Sequence, residues 1–119
     1  MNEKLQLSDG FQKLDFIYVN DIVRAYLASL RRISFGLPPE YEVFNLGSGV
    51  ALSIRDIVNI IEKYLGKTIN KSWGSDSNAG SPIVQANIFK AQDILGWKPI
   101  FSIHQGIRDT VSYYKSKGR

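Results

Sequence analysis

Side chains able to move a proton or attack a carbon at neutral pH are scarce in this sequence. There is one histidine and no cysteine, and the carboxylates are spread along the chain rather than paired beside a nucleophile. His104 falls in the first turn of a predicted helix, where a solvated or packed imidazole is the expected state. No metal site can be assembled from the spacing of the histidine and carboxylates. Tyr113 and Lys117 stand four residues apart, a spacing at which a lysine can lower the pKa of a proton-donating tyrosine. They close the last helix with no nucleotide-binding unit before them, so an amphipathic helix end is the expected reading. Gly47-Ser48-Gly49 follows a predicted strand and precedes a helix, the place for a dinucleotide phosphate cradle. The third glycine of such a cradle is missing, Leu52 standing in its place, and no acidic residue ends a second strand about twenty residues on. A tight turn is therefore expected, whose amides can still lie near a ligand. No catalytic residue is assigned.

The elements that must position these groups alternate between strands and helices, so the expected fold class is α/β, or α+β for this chain in isolation. A strand is predicted over 16–19 from its aromatic and β-branched character, with Asn20 or Asp21 capping the helix that follows. From 22 to 30 the residues Ile22, Val23, Tyr26, Leu27 and Leu30 recur at helical steps, predicting a buried stripe on a helix that ends near Arg31 and Arg32. Residues 41–46 predict a second strand running into the Gly47-Ser48-Gly49 turn. Ser53, with Asp56 three residues on, marks the start of a helix whose apolar face is Ile54, Ile57, Val58, Ile61 and Leu65, and Gly66 marks its end. An extended piece is predicted over 68–73, then a polar loop over 74–82. Asn87 and Ser102 are the expected caps of two more helices, the first ended by Gly96, with Trp97, Pro99 and Phe101 as a packed connector.

A length of 119 residues with 44% apolar and 22% charged side chains fits one globular domain. No run is long enough for a membrane helix, no cleavable leader is visible, and the absence of cysteine fits a cytoplasmic setting. The net charge of +4 is scattered, clustering only at Lys115, Lys117 and Arg119, so nucleic acid is not an expected partner.

Four segments in order and in register carry a resemblance: 15–21 (Asp-Phe-Ile-Tyr-Val-Asn-Asp), 43–49 (Val-Phe-Asn-Leu-Gly-Ser-Gly), the helix over 53–66, and Lys90-Ala91 followed by 95–99 (Leu-Gly-Trp-Lys-Pro). Together they resemble the C-terminal, substrate-binding part of extended short-chain dehydrogenases/reductases, the NAD-dependent sugar-nucleotide epimerase/dehydratase family. The likeness implies a lobe, 1–119, that covers a nucleotide-sugar, while an N-terminal Rossmann half, expected to precede it as about 180 to 200 further residues, holds NAD or NADP and the catalytic residues. On that view the isolated chain is catalytically silent and binds no cofactor, and the parent enzyme is an epimerase, dehydratase or reductase. A free-standing nucleotide-binding or interaction module is the competing expectation.

The resemblance also implies substrate-binding positions. Where relatives carry an arginine on the diphosphate this chain has Leu14, and a second such arginine aligns with Ser77 and a nearby aspartate with Gly80, or, one residue on, with Asn78 and Ser81. Ile54 keeps the apolar nucleotide contact, and Asn87 stands where relatives have aspartate. Two lost bidentate donors remove about 1.5 to 3 kcal/mol each, so another cation is needed, with Lys13 and Lys71 as candidates. An altered nucleotide pocket follows as an expectation, taking a CDP- or GDP-sugar rather than a UDP-sugar. Because a strand and a helix of such a lobe belong against the Rossmann half, the chain alone is expected to expose apolar surface and to oligomerise.

Overall fold

The structure is a computed structural model that describes residues 3–34, 41–75, 80 and 82–118. It contains strands β1 (Leu5–Leu7), β2 (Lys13–Asp15), β3 (Ala51–Ser53), β4 (Lys71–Trp73) and β5 (Ile83–Val84), and helices α1 (Val19–Ser34), α2 (Ile54–Leu65), α3 (Phe89–Leu95) and α4 (Ile103–Ser116). β1 pairs in parallel with β4, while β2 lies between β3, antiparallel to it, and β5, parallel to it. The mixture of helix and strand is the predicted one.

Local chemistry sets the helix ends. Ser53 accepts the amide of Asp56 at 3.0 Å while the Asp56 carboxylate accepts the Ser53 amide at 3.2 Å, closing a reciprocal cap on α2. Ser102 and Gln105 do the same for α4. Gly66 and Gly96 end α2 and α3 in left-handed conformations, with φ of 73° and 62°. Asn87 accepts the Phe89 amide at 3.1 Å from one residue ahead of the cap position, which Ile88 occupies.

Around α1 three predictions fail, each for a reason beyond local sequence. The ladder uses Lys13–Asp15, Phe16 to Tyr18 form a connector, and Val19 already begins α1, so the aromatic run at 16–19 packs without being a strand. Asp21 does not cap: its carboxylate turns across the molecule to the amides of Ile100 and Phe101, at 3.0 and 3.1 Å. The α1 stripe is not buried. Ala25 faces the core, whereas Tyr26 is 68% exposed and Leu30 59%, with Val19, Val23, Leu27 and Ile33 also exposed.

The segment 41–46, predicted as a strand, joins no ladder among the described residues, yet its exposure alternates with period two. Phe44 and Leu46 turn inward onto the core of Ala25, Ala91 and Trp97, which Ile17, Ile88 and Leu95 complete. Tyr41 and Val43 turn outward. The Trp97 indole N–H donates to the Asp21 carbonyl at 2.9 Å, satisfying the one polar atom its burial would otherwise strand. α4 crosses Tyr18 so closely that a Cβ on Gly106 would lie 2.9 Å from that of Tyr18.

Candidate functional site

Leu14 is the middle residue of β2, flanked by Leu52 on β3 and Val84 on β5. Directly paired residues share a face, so these three form an apolar row, with Lys13, Ser53 and Ile83 on the opposite side. Beside Leu52 lies a cleft of about 360 Å³ lined by Phe16, Val50, Leu52, Ile100, Phe101 and Ile103, with hydroxyls from Ser48 and Ser102. Ile54, half-buried, follows β3 directly, and its amide donates to the Gln12 carbonyl at 3.3 Å. Leu14 and Ile54 thus stand at one corner of the β2-β3-α2 unit. Ser77, with Asn78, lies outside the described residues.

The turn Gly47-Ser48-Gly49 is aimed inward. The Asp15 carboxylate accepts the Ser48 amide at 2.7 Å, the Ser48 hydroxyl at 2.6 Å, the Gly49 amide at 3.1 Å and the Ala86 amide at 3.2 Å. A Cβ on Gly47 would fall 2.5 Å from the Asp15 oxygen, so glycine is required by this approach. An internal anion occupies the place a phosphate would take in a dinucleotide cradle, and the described residues do not fit that cofactor here.

The other chemical groups are dispersed. His104 meets the Tyr64 hydroxyl at 3.3 Å, and the Lys117 ammonium lies 5.6 Å over the Tyr113 ring rather than beside its hydroxyl. Among the described residues no cluster of three histidines or carboxylates could hold a metal. Lys71, a candidate diphosphate contact, is ion-paired to Glu62. That bond, followed by the Ile69 amide, holds the Glu62 carboxyl below the ordinary carboxylate range. Asp56 is likewise held low, first by the Ser53 hydroxyl and then by its amide, with Lys13 contributing at longer range. Sequence reasoning missed Asp15 and Arg55, whose partners are distant in the chain.

Residues 2–47 match the family model described as the NAD dependent epimerase/dehydratase family. Over 108 residues the chain is 37% identical to the UDP-glucuronate 4-epimerase of Thermodesulfobacterium geofontis, 90% of this chain and 32% of that one. The chain is similar to this family over most of its length. Two solved epimerases agree in fold. The UDP-glucuronic acid 4-epimerase of Bacillus cereus in complex with NAD superposes with a TM-score of 0.76 at 28% identity, over 99% of this chain and 36% of that one. The UDP-glucose 4-epimerase of Thermotoga maritima with UDP-glucose does so with a TM-score of 0.77 at 25% identity, over 99% and 37%. The chain therefore spans about a third of the length of the relatives it matches.

Proposed function

We propose that this chain is the C-terminal, substrate-side lobe of an NAD(P)-dependent nucleotide-sugar epimerase, dehydratase or reductase. It covers the nucleotide-sugar while a Rossmann half supplies the dinucleotide and the catalytic residues. The observation that carries this reading is the outward apolar stripe of α1 (Val19, Val23, Tyr26, Leu27, Leu30) together with the segment 41–46, which joins no ladder among the described residues. A helix face and a strand edge both left open are what a parallel sheet of another body would accept, the edge by backbone pairing and the face by burial. The engagement of the Ser48 and Gly49 amides with Asp15 supports the same division, since the dinucleotide phosphates then bind elsewhere.

Within the lobe, Leu14, Ile54 and Ser77 stand as the substrate-binding positions. Leu14 and Ile54 offer apolar contact to the nucleotide, and the row Leu14-Leu52-Val84 places no charge there. The test uses the full-length enzyme with NAD or NADP and a panel of UDP-, CDP- and GDP-sugars, following the sugar by NMR. Turnover of a nucleotide-sugar is expected, with preference for a CDP- or GDP-sugar. Failure to bind any of them would refute the enzyme reading, while a clear preference for UDP-sugars would refute only the altered nucleotide pocket.

A further inference from the structure

One guanidinium in this lobe is held in place yet left with its fork free. The Arg55 guanidinium carbon lies 4.2 Å from the Phe11 ring centroid and 4.5 Å from that of Trp73, so the group is sandwiched between two aromatic rings. Its Nε donates to the Asp9 carbonyl at 2.7 Å, and its backbone amide donates to the Gly10 carbonyl at 3.2 Å. The Asp9 carboxylate is turned to the Phe11 amide at 3.0 Å. Room for the sandwich comes from Gly10, at φ 79°, where a Cβ would lie 2.4 Å from the Trp73 ring and 2.8 Å from Arg55 Cγ. The two Nη groups have no hydrogen-bond partner among the described residues. Because no buried side-chain nitrogen there lacks a partner, both reach solvent.

The other arginines among the described residues are differently placed. Arg24 is paired with Asp21, Arg32 with Glu42 and Arg108 with Asp109, while Arg31 is exposed in the last turn of α1. Arg55 follows Ile54 and packs along residues 9–11, which lead into β2 and Leu14. A planar, bidentate donor matches the geometry of a phosphate group, and a guanidinium already ordered by stacking gives up little further freedom on binding it.

We infer that Arg55 binds a phosphate group of the nucleotide-sugar, with Phe11 and Trp73 as the clamp that orients it; this rests on the nucleotide-sugar reading above. The test measures nucleotide-sugar affinity by calorimetry and steady-state kinetics of the full-length enzyme for wild type, Arg55→Met and Arg55→Lys. Both variants are expected to bind nucleotide-sugars more weakly, Arg55→Met by about ten- to a hundredfold. KM should rise more than kcat falls, and NAD affinity should stay unchanged. Wild-type affinity in an Arg55→Met protein that melts at the wild-type temperature would overturn the inference, as would a loss confined to sugars bearing a carboxylate. If Arg55→Met does not fold, Phe11→Leu loosens the clamp and keeps the charge; a several-fold weaker affinity is then expected, and unchanged affinity overturns the assignment. Should the wild type bind no nucleotide-sugar, the enzyme reading falls. Titration with inorganic pyrophosphate then decides the site alone: binding lost in Arg55→Met keeps it, and no binding removes it.

Discussion

Asp15 and Asp21 tie distant parts of the chain together through backbone amides. Asp15 joins β2 to the 47–49 turn and to Ala86, and Asp21 joins α1 to Ile100 and Phe101 while also pairing with Arg24 of its own helix. Asp21 is fully buried, so Asp21→Ala strips the partner from two amides and a guanidinium at once. Urea denaturation should show a loss of about 3 to 5 kcal/mol. Asp15, half-buried, should cost somewhat less, about 2 to 3 kcal/mol for Asp15→Ala. Glu62 adds a dependence on pH. Its carboxyl is depressed below the ordinary 4.5, so its contribution is present above that value and is lost as pH falls through the folded-state pKa. Melting temperatures should therefore drop on acidification below about 4.5, and Glu62→Gln should flatten that drop while lowering stability at neutral pH.

Elements were legible in proportion to how local their causes are. The caps of α2 and α4 and the glycine stops after α2 and α3 involve residues within one turn, and they stand where Ser53, Ser102, Gly66 and Gly96 indicate. β4 falls inside the extended piece predicted over 68–73, whereas the other strands, three residues or fewer, are defined by partners far away, such as Lys13 beside both Ser53 and Ile83, and no local pattern announces them. Leu14 and Ile54 enter as proposed positions from motif register alone, whereas the setting of Arg55 depends on Trp73 coming alongside. Periodicity revealed the α1 stripe without revealing which side would be covered. The close crossing of α4 over Tyr18 belongs to this scale. Gly106→Ala should destabilise by about 1 to 3 kcal/mol in thermal melts followed by circular dichroism. Gly80→Ala, where an added Cβ meets nothing within 4 Å, should be nearly neutral.

The whole molecule is a slab of 53 × 40 × 20 Å with a radius of gyration of 17.6 Å, against about 13.5 Å for a compact domain of this length. Its accessible surface of 8659 Å² exceeds the roughly 6500 Å² expected for this mass. Six exposed large apolar side chains, Val19, Val23, Tyr26, Leu27, Leu30 and Ile33, lie on α1, so the chain alone should self-associate through that face. Sedimentation should show mass rising with concentration, and Tyr26→Glu with Leu30→Glu should return it to a monomer; a compact monomer of the unaltered chain at high concentration would contradict this. The open edge at 41–46 gives the chain a gauge of its own assembly. Its amides have no backbone acceptor among the described residues, so in deuterated solvent they should exchange at nearly the rate of an unstructured peptide. Once another chain segment lies along them, the same six positions should slow together, a footprint that reads docking without any substrate present.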